Sequence, residues 1–134
     1  MELRLPDIVA IGIYNSVFAV KNKAVTKNRK TTMFEIEIPA QKGGVSYINS
    51  DEMAVDTDMV ICAKPGQIRH TKLPFKCYYV HLIVPEDSEL YDILMDIPNF
   101  VKTNKYSNYH DIFKRMCEYY DSAVDTDELI LQSL

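Results

Sequence analysis

The sequence predicts a mainly β domain with helices at its C-terminal end, and three observations carry that expectation. Up to about residue 86, apolar and polar residues alternate in short runs. Gly, Pro, Asn and Asp punctuate these runs at the spacing of a sandwich or barrel, not of alternating β–α units. Beyond Pro85 the apolar period lengthens to that of a helix. The chain therefore divides into a β part, residues 1–86, and a helical part, residues 87–134.

Ile8 to Tyr14 is a β-branched run. Thr31 to Ile38 (TTMFEIEI) alternates strictly, with Phe34, Ile36 and Ile38 on one face and Met33, Glu35 and Glu37 on the other. Gly43-Gly44 is a turn, followed by a strand from Val45 to Ile48 and a turn at Asn49-Ser50-Asp51. Further strands are expected near Met53–Val55, Asp58–Cys62, Ile68–Thr71 and Phe75–Val84. Asp87-Ser88 then offers a helix cap, and Leu90, Ile93, Leu94 and Ile97 recur at helical spacing until Pro98. A second helix is expected from about Ser107, carrying Tyr109, Ile112, Phe113 and Met116 on one stripe that Cys117 and Tyr120 extend. Asp125-Thr126-Asp127-Glu128 starts a third, which stops in mid-pattern at Leu134, as if more protein followed.

The 134 residues, 47% of them hydrophobic, are enough for one domain with a core. A net charge of −4 makes this chain a poor stand-alone nucleic-acid binder, since a duplex surface needs clustered Lys and Arg. The interrupted basic run from Lys21 to Lys30 reads as a solvated loop or strand edge. Cys62, Cys77 and Cys117 are an odd set without CxxC spacing, expected to be reduced, buried thiols of a cytoplasmic protein. The N-terminus lacks a basic leader with a long apolar run, and no stretch approaches eighteen apolar residues, so neither a signal peptide nor a membrane span is expected. Nine Tyr and no Trp suit a cavity or interface with aromatic walls and polar tips, or simply a small β core.

Several segments together resemble the N-terminal effector-binding domain of AraC-family transcription regulators. They are Asn28-Arg29, Met33-Phe34-Glu35, Gly43 to Asn49, Asp58, Lys64-Pro65-Gly66-Gln67-Ile68-Arg69-His70, and Leu73 to Leu82. The resemblance covers roughly residues 20–134. It implies a cupin-like double-stranded β-helix barrel followed by two or three helices, a small-molecule effector, and a homodimer. It also implies DNA contact only through a C-terminal helix-turn-helix domain absent from this chain. The dimer would form through the helical part, with Ile112, Phe113, Met116 and Tyr120 as the contact residues; the alternative is that the helical stripes pack on the outer surface of the domain's own barrel.

Metal-binding cupins carry His-x-His-x3-Glu on one strand and a further His after a Pro-Gly turn. Alternate strand residues point the same way, so such positions converge. Here Arg29, Thr31 and Glu35 stand at 0, +2 and +6, and Arg69 follows Pro65 by four. Arginine offers a metal no lone pair, so neither a metal nor another cofactor is expected. His70, His81 and His110 are scattered and have no ligand spacing. An arginine facing a barrel interior needs an anion. Either Glu35 pairs internally with Arg29 or Arg69, or the guanidinium receives a ligand carboxylate or phosphate while Glu35 accepts hydroxyls. The expected ligand is a small polar molecule: a sugar, a sugar acid or another carboxylate. Its expected contacts are Arg29, Glu35, Tyr47, Arg69, Tyr79 and His81. Phe75, Cys77, Tyr79 and His81 share one face of the last long strand, and Tyr78, Val80 and Leu82 the other. The pattern alone leaves open which face is inner.

No Gly-x-Ser-x-Gly elbow or phosphate-cradling loop is present, and Cys77 and His81 stand roughly 13 Å apart at strand rise, too far for a nucleophile–base pair. An enzyme is therefore not expected. The alternatives are a small cupin sugar isomerase or epimerase, and a dimerisation module with a vestigial pocket.

Overall fold

A computed structural model describes residues 6–16 and 24–103. Within them nine strands and one helix follow in order: β1 (Asp7–Asn15), β2 (Arg29–Lys30), β3 (Phe34–Pro39), β4 (Val45–Ile48), β5 (Asp51–Ala54), β6 (Met59–Ala63), β7 (Ile68–Lys72), β8 (Lys76–Ile83), α1 (Glu89–Asp96) and β9 (Phe100–Lys102). They form two antiparallel sheets, of order β1-β8-β3-β6-β9 and β2-β7-β4-β5. Mainly β architecture is thus what the alternation predicts. Among the described residues, however, the hydrogen bonding does not close into a barrel. The two sheets meet through side chains.

The turns follow from their residues. β4 and β5 pair Ile48 with Asp51 across a two-residue turn, where Asn49 adopts φ 52° and its side-chain oxygen accepts from Ile68 N at 2.9 Å. Gly44 has φ +82°, and a Cβ there would lie 2.5 Å from the carbonyl oxygens of Lys72 and Pro74, so only glycine fits.

Ile48, Val55, Met59, Ile61, Ala63, Phe75 and Cys77 form the core between the sheets. Cys77, Tyr79 and His81 therefore belong to the inner face of β8. Tyr78, Val80 and Leu82 lie on the outer face, packed with Ile11 and Ile36. With residues 7–15 paired along β8, the N-terminal run is an edge strand of this sheet.

Helix α1 starts at Ser88, whose hydroxyl accepts from Tyr91 N at 3.2 Å, and ends ahead of Pro98 with Ile97 extended. Leu90, Tyr91, Leu94 and Ile97 cover Phe34 and Val84 on the outer face, with the Tyr91 ring edge-on to Phe34 at 5.5 Å. Ile93, expected in this stripe, is instead 51% exposed, and Tyr91 takes its place. A further difference is β9, a strand inside the stretch that the sequence reads as helical. It pairs Val101 with Val60 and so returns the chain to the sheet. Three residues are too few to display a period. The second and third expected helices lie outside the described residues.

Phe34→Ala empties the contact under α1 and should cost about 3–5 kcal/mol in urea denaturation. Ile93→Ala should stay within about 0.5 kcal/mol of the parent. Equal losses in the two variants would contradict this packing.

Candidate functional site

Register builds the site in rows. Ala10, His81 and Glu35 align across β1, β8 and β3; Gly12, Tyr79 and Glu37 align in the next row, and Tyr14 and Cys77 in the third. Rows two residues apart on a strand are separated by about 7 Å. Opposite them the second sheet sets Arg29 of β2 beside Arg69 of β7.

Strand alternation puts Glu35 and Glu37 on one face, and the two arginines meet them there. Arg29 donates from Nη1 to Glu35 Oε2 at 2.7 Å and from Nη2 to Glu35 Oε1 at 2.5 Å. Arg69 donates from Nη1 to Glu35 Oε1 at 2.9 Å and from Nη2 to Glu37 Oε1 at 2.6 Å. His81 Nε2 stands 4.0 Å from Glu35 Oε1. The burial differs sharply along this lattice: the Arg69 side chain is 3% exposed and that of Arg29 51%. Such charges persist out of water only because each has a partner.

The electrostatics follow from that arrangement. Burial alone would raise the Glu35 carboxyl, but the hydrogen bonds and charge of Arg29, with the charge of Arg69, hold it below its ordinary value. Burial works against the Arg69 cation, yet Glu37 and Glu35 raise its pKa above the usual value. His81 is lowered, because burial outweighs the pull of Glu35 and Glu37. Burial also pushes the Cys77 thiol far up, which favours the protonated thiol over the thiolate.

Beside the lattice lies a cavity of about 490 Å³. Its charged end is walled by Arg29, Arg69, Glu37 and His81, and its other end by Tyr14, Phe75 and Tyr79. Of the expected contacts, the structure brings Arg29, Glu35, Arg69, Tyr79 and His81 together. Glu35 stands behind Arg29 and is not itself in the cavity wall. Tyr47 is the exception: its ring stacks on His70 at 4.4 Å and does not line the cavity. β4 turns Ser46 and Ile48 inward, which leaves Tyr47 on the opposite face. His110 and the dimer residues Ile112, Phe113, Met116 and Tyr120 lie outside the described residues.

Sequence reasoning missed Glu37, Tyr14 and Lys27 as wall residues. Glu37 was within reach, since it lies two residues from Glu35 on an alternating strand. Tyr14 and Lys27 needed the pairing of β1 with β8 and of β2 with β7. Among the described residues no three His, Cys, Asp or Glu side chains form a set that could hold a metal. No helix among them is long and apolar enough to cross a membrane. Comparison with known protein families gives no match for this chain, and a search of curated proteins gives none either.

Two groups give stability a pH dependence. His81 has a lowered value in the folded state, so the unfolded chain takes up that proton first. Stability then declines as pH falls from the ordinary value of 6.5 through the folded one. Glu35 has a lowered value too, and its contribution is complete above 4.5 and lost as pH drops through the folded value. Urea midpoints measured across pH should therefore fall in two stages. His81→Gln should remove the upper stage and leave the lower; a variant that keeps both would refute the assignment.

Proposed function

We propose that this chain is the ligand-sensing and dimerisation domain of an AraC-type bacterial transcription regulator. In this reading it binds a small polar molecule, such as a sugar, a sugar acid or another carboxylate, in a metal-free interior, and catalyses nothing. The observation that carries the reading is the cavity itself, with a half-exposed arginine on its wall held by a buried carboxylate. A largely formed cavity with an aromatic lining and a few convergent polar groups suits small-molecule recognition. Arg29, Thr31, Glu35 and Arg69 stand where the resemblance puts the ligands of metal-binding cupins.

The cupin-type assignment draws support from topology. With β9 added at the edge of the first sheet, the other eight strands, of order β1-β8-β3-β6 and β2-β7-β4-β5, suit a double-sheet jelly roll, the architecture that cupins share. The homodimer through Ile112, Phe113, Met116 and Tyr120, the DNA contact through a further domain, and the cytoplasmic location rest on the resemblance and on the reduced cysteines. The mechanism is a population shift: a ligand acts only as far as it favours one arrangement of the domain over another.

A thermal-shift screen of sugars, sugar acids and small carboxylates tests the reading. A ligand at a hundred times its Kd should add about 2.7 kcal/mol of stability and raise Tm by several degrees. Arg29→Ala, at the half-exposed arginine of the cavity wall, should abolish that rise. Silence across the whole screen would sink the sensing function, and turnover of a sugar would move the assignment to the isomerase class.

A further inference from the structure

The cavity carries more chemical detail than a generic polar ligand requires. On the basis of the sensing function above, we propose that it takes a monocarboxylate with a compact apolar or aromatic body, its carboxylate at Arg29 and Lys27 and its body between Tyr14, Phe75 and Tyr79.

The charged end decides where an anion can sit. Both terminal nitrogens of Arg69 are bonded to buried carboxylates, so this residue is committed to the fold. Arg29 gives one bond from each terminal nitrogen to Glu35, and a guanidinium has five N–H donors. With half of its side chain exposed, it has donors left to turn towards the cavity. Lys27 lies on the same wall, is exposed, and has no ion-pair partner among the described residues. The cations Lys27, Arg29 and Arg69 number three, against the two carboxylates Glu35 and Glu37. Among these five side chains one positive charge is unbalanced, which a single carboxylate cancels. That charge sits at the accessible wall, not in the interior.

The other end decides the body. Tyr14 and Phe75 are in ring contact, with centroids 6.0 Å apart. The Tyr79 ring lies across Gly12, where a Cβ would come within 2.9 Å of its hydroxyl, so the bare backbone of β1 lets the ring lie flat against the wall. Thr26 uses its hydroxyl to accept from Thr71 N. A sugar ring laid against the faces of Tyr14, Phe75 and Tyr79 would turn hydroxyls towards apolar ring surface, with the phenolic hydroxyls only at the ring edges. Each hydroxyl buried without a partner is costly. An apolar ring replaces water against the aromatics with no such loss. Between the row of His81 and the row of Tyr14 there are about 13 Å, room for a carboxylate, a short spacer and a ring.

Titration calorimetry of the 134-residue chain with four probes tests this: 3-phenylpropionate, its amide 3-phenylpropionamide, galacturonate and arabinose. Phenylpropionate should bind best, and loss of its charge in the amide should weaken binding about tenfold or more. Lys27→Met, an exposed substitution, should weaken phenylpropionate several-fold with Tm unchanged. Tyr14→Ala should weaken phenylpropionate and its amide alike. Galacturonate or arabinose binding as well as phenylpropionate would overturn the chemical class and leave the sensing function standing. Phenylpropionate binding that is indifferent to Lys27→Met, Arg29→Met and Tyr14→Ala would place it elsewhere and overturn the site. No heat from any of the four overturns the inference, and the broader thermal screen then decides separately whether the domain senses anything.

Discussion

The arrangement depends first on one buried carboxylate. Glu35 receives three charged hydrogen bonds, two from Arg29 and one from Arg69, and the two arginines belong to the opposite sheet. Because the sheets do not hydrogen-bond to each other along their strands, something else must fix their separation. At one end the apolar packing of Ile48, Met59, Ile61 and Phe75 does so. At the other end the arginine–carboxylate lattice does. Neutralising Arg69 or Glu35 leaves a buried partner short of a counter-charge, so these members depend on one another. β2 shows the dependence best: it is two residues long, pairs only with β7, and gains its remaining hold on the other sheet through Arg29.

That division also explains why a cavity exists at all. Apolar side chains collapse into a void when they can, since unfilled volume forfeits dispersion contacts. Charged side chains bonded to one another cannot relax that way. Arg69 is held between Glu35 and Glu37, which props β7 against β3 across the two sheets. The aromatic end is propped differently. Tyr79 lies over Gly12, and Tyr14 leans on Phe75, so the rings brace each other at the margin of the core. Rigid rings and paired charges thus leave a space that flexible aliphatic residues would have filled.

Much of this was legible in the sequence, for identifiable reasons. TTMFEIEI has a period of two, and that alone puts Glu35 and Glu37 on a common face. Arg69 follows a Pro-Gly turn at the position where the resemblance implies an inward side chain. Both signals are local, and both survive folding. Tyr47 was misplaced because its strand is short and buried on one face only, so its register depended on β7, which turns Thr71 inward with Ser46 and leaves His70 to stack on Tyr47. Ile93 was assigned to the buried stripe of α1 because an eight-residue helix offers barely two turns from which to read a phase. Tyr91 replaced it because Phe34 offered an aromatic edge. Strand β9 and the wall residue Lys27 depend on contacts made far along the chain, which no local pattern encodes.

A second network joins the site to the end of the described chain. Gly66 N donates to Thr31 O, and Thr31 Oγ1 accepts from Gln67 N while lying within bonding distance of the Lys64 and Gln67 carbonyls. The Gln67 side chain bonds in turn to Asn99, and Asn99 donates to Cys62 O. Lys64 reaches back to the Ile97 carbonyl, supplying at the helix C-terminus the cation that the last turn of α1 lacks. The Pro65-Gly66 turn is therefore clamped between the strand carrying Arg29 and the junction of α1 with β9. Thr31, Lys64 and Asn99 are buried members of this clamp, and each has a hydrogen-bond partner there, which fixes the turn against both neighbours. Freedom in the system resides at Arg29, the half-exposed arginine two residues from Thr31. Its guanidinium is the one in the lattice that water reaches, and Thr31 ties the chain just after β2 to the clamp that ends at β9.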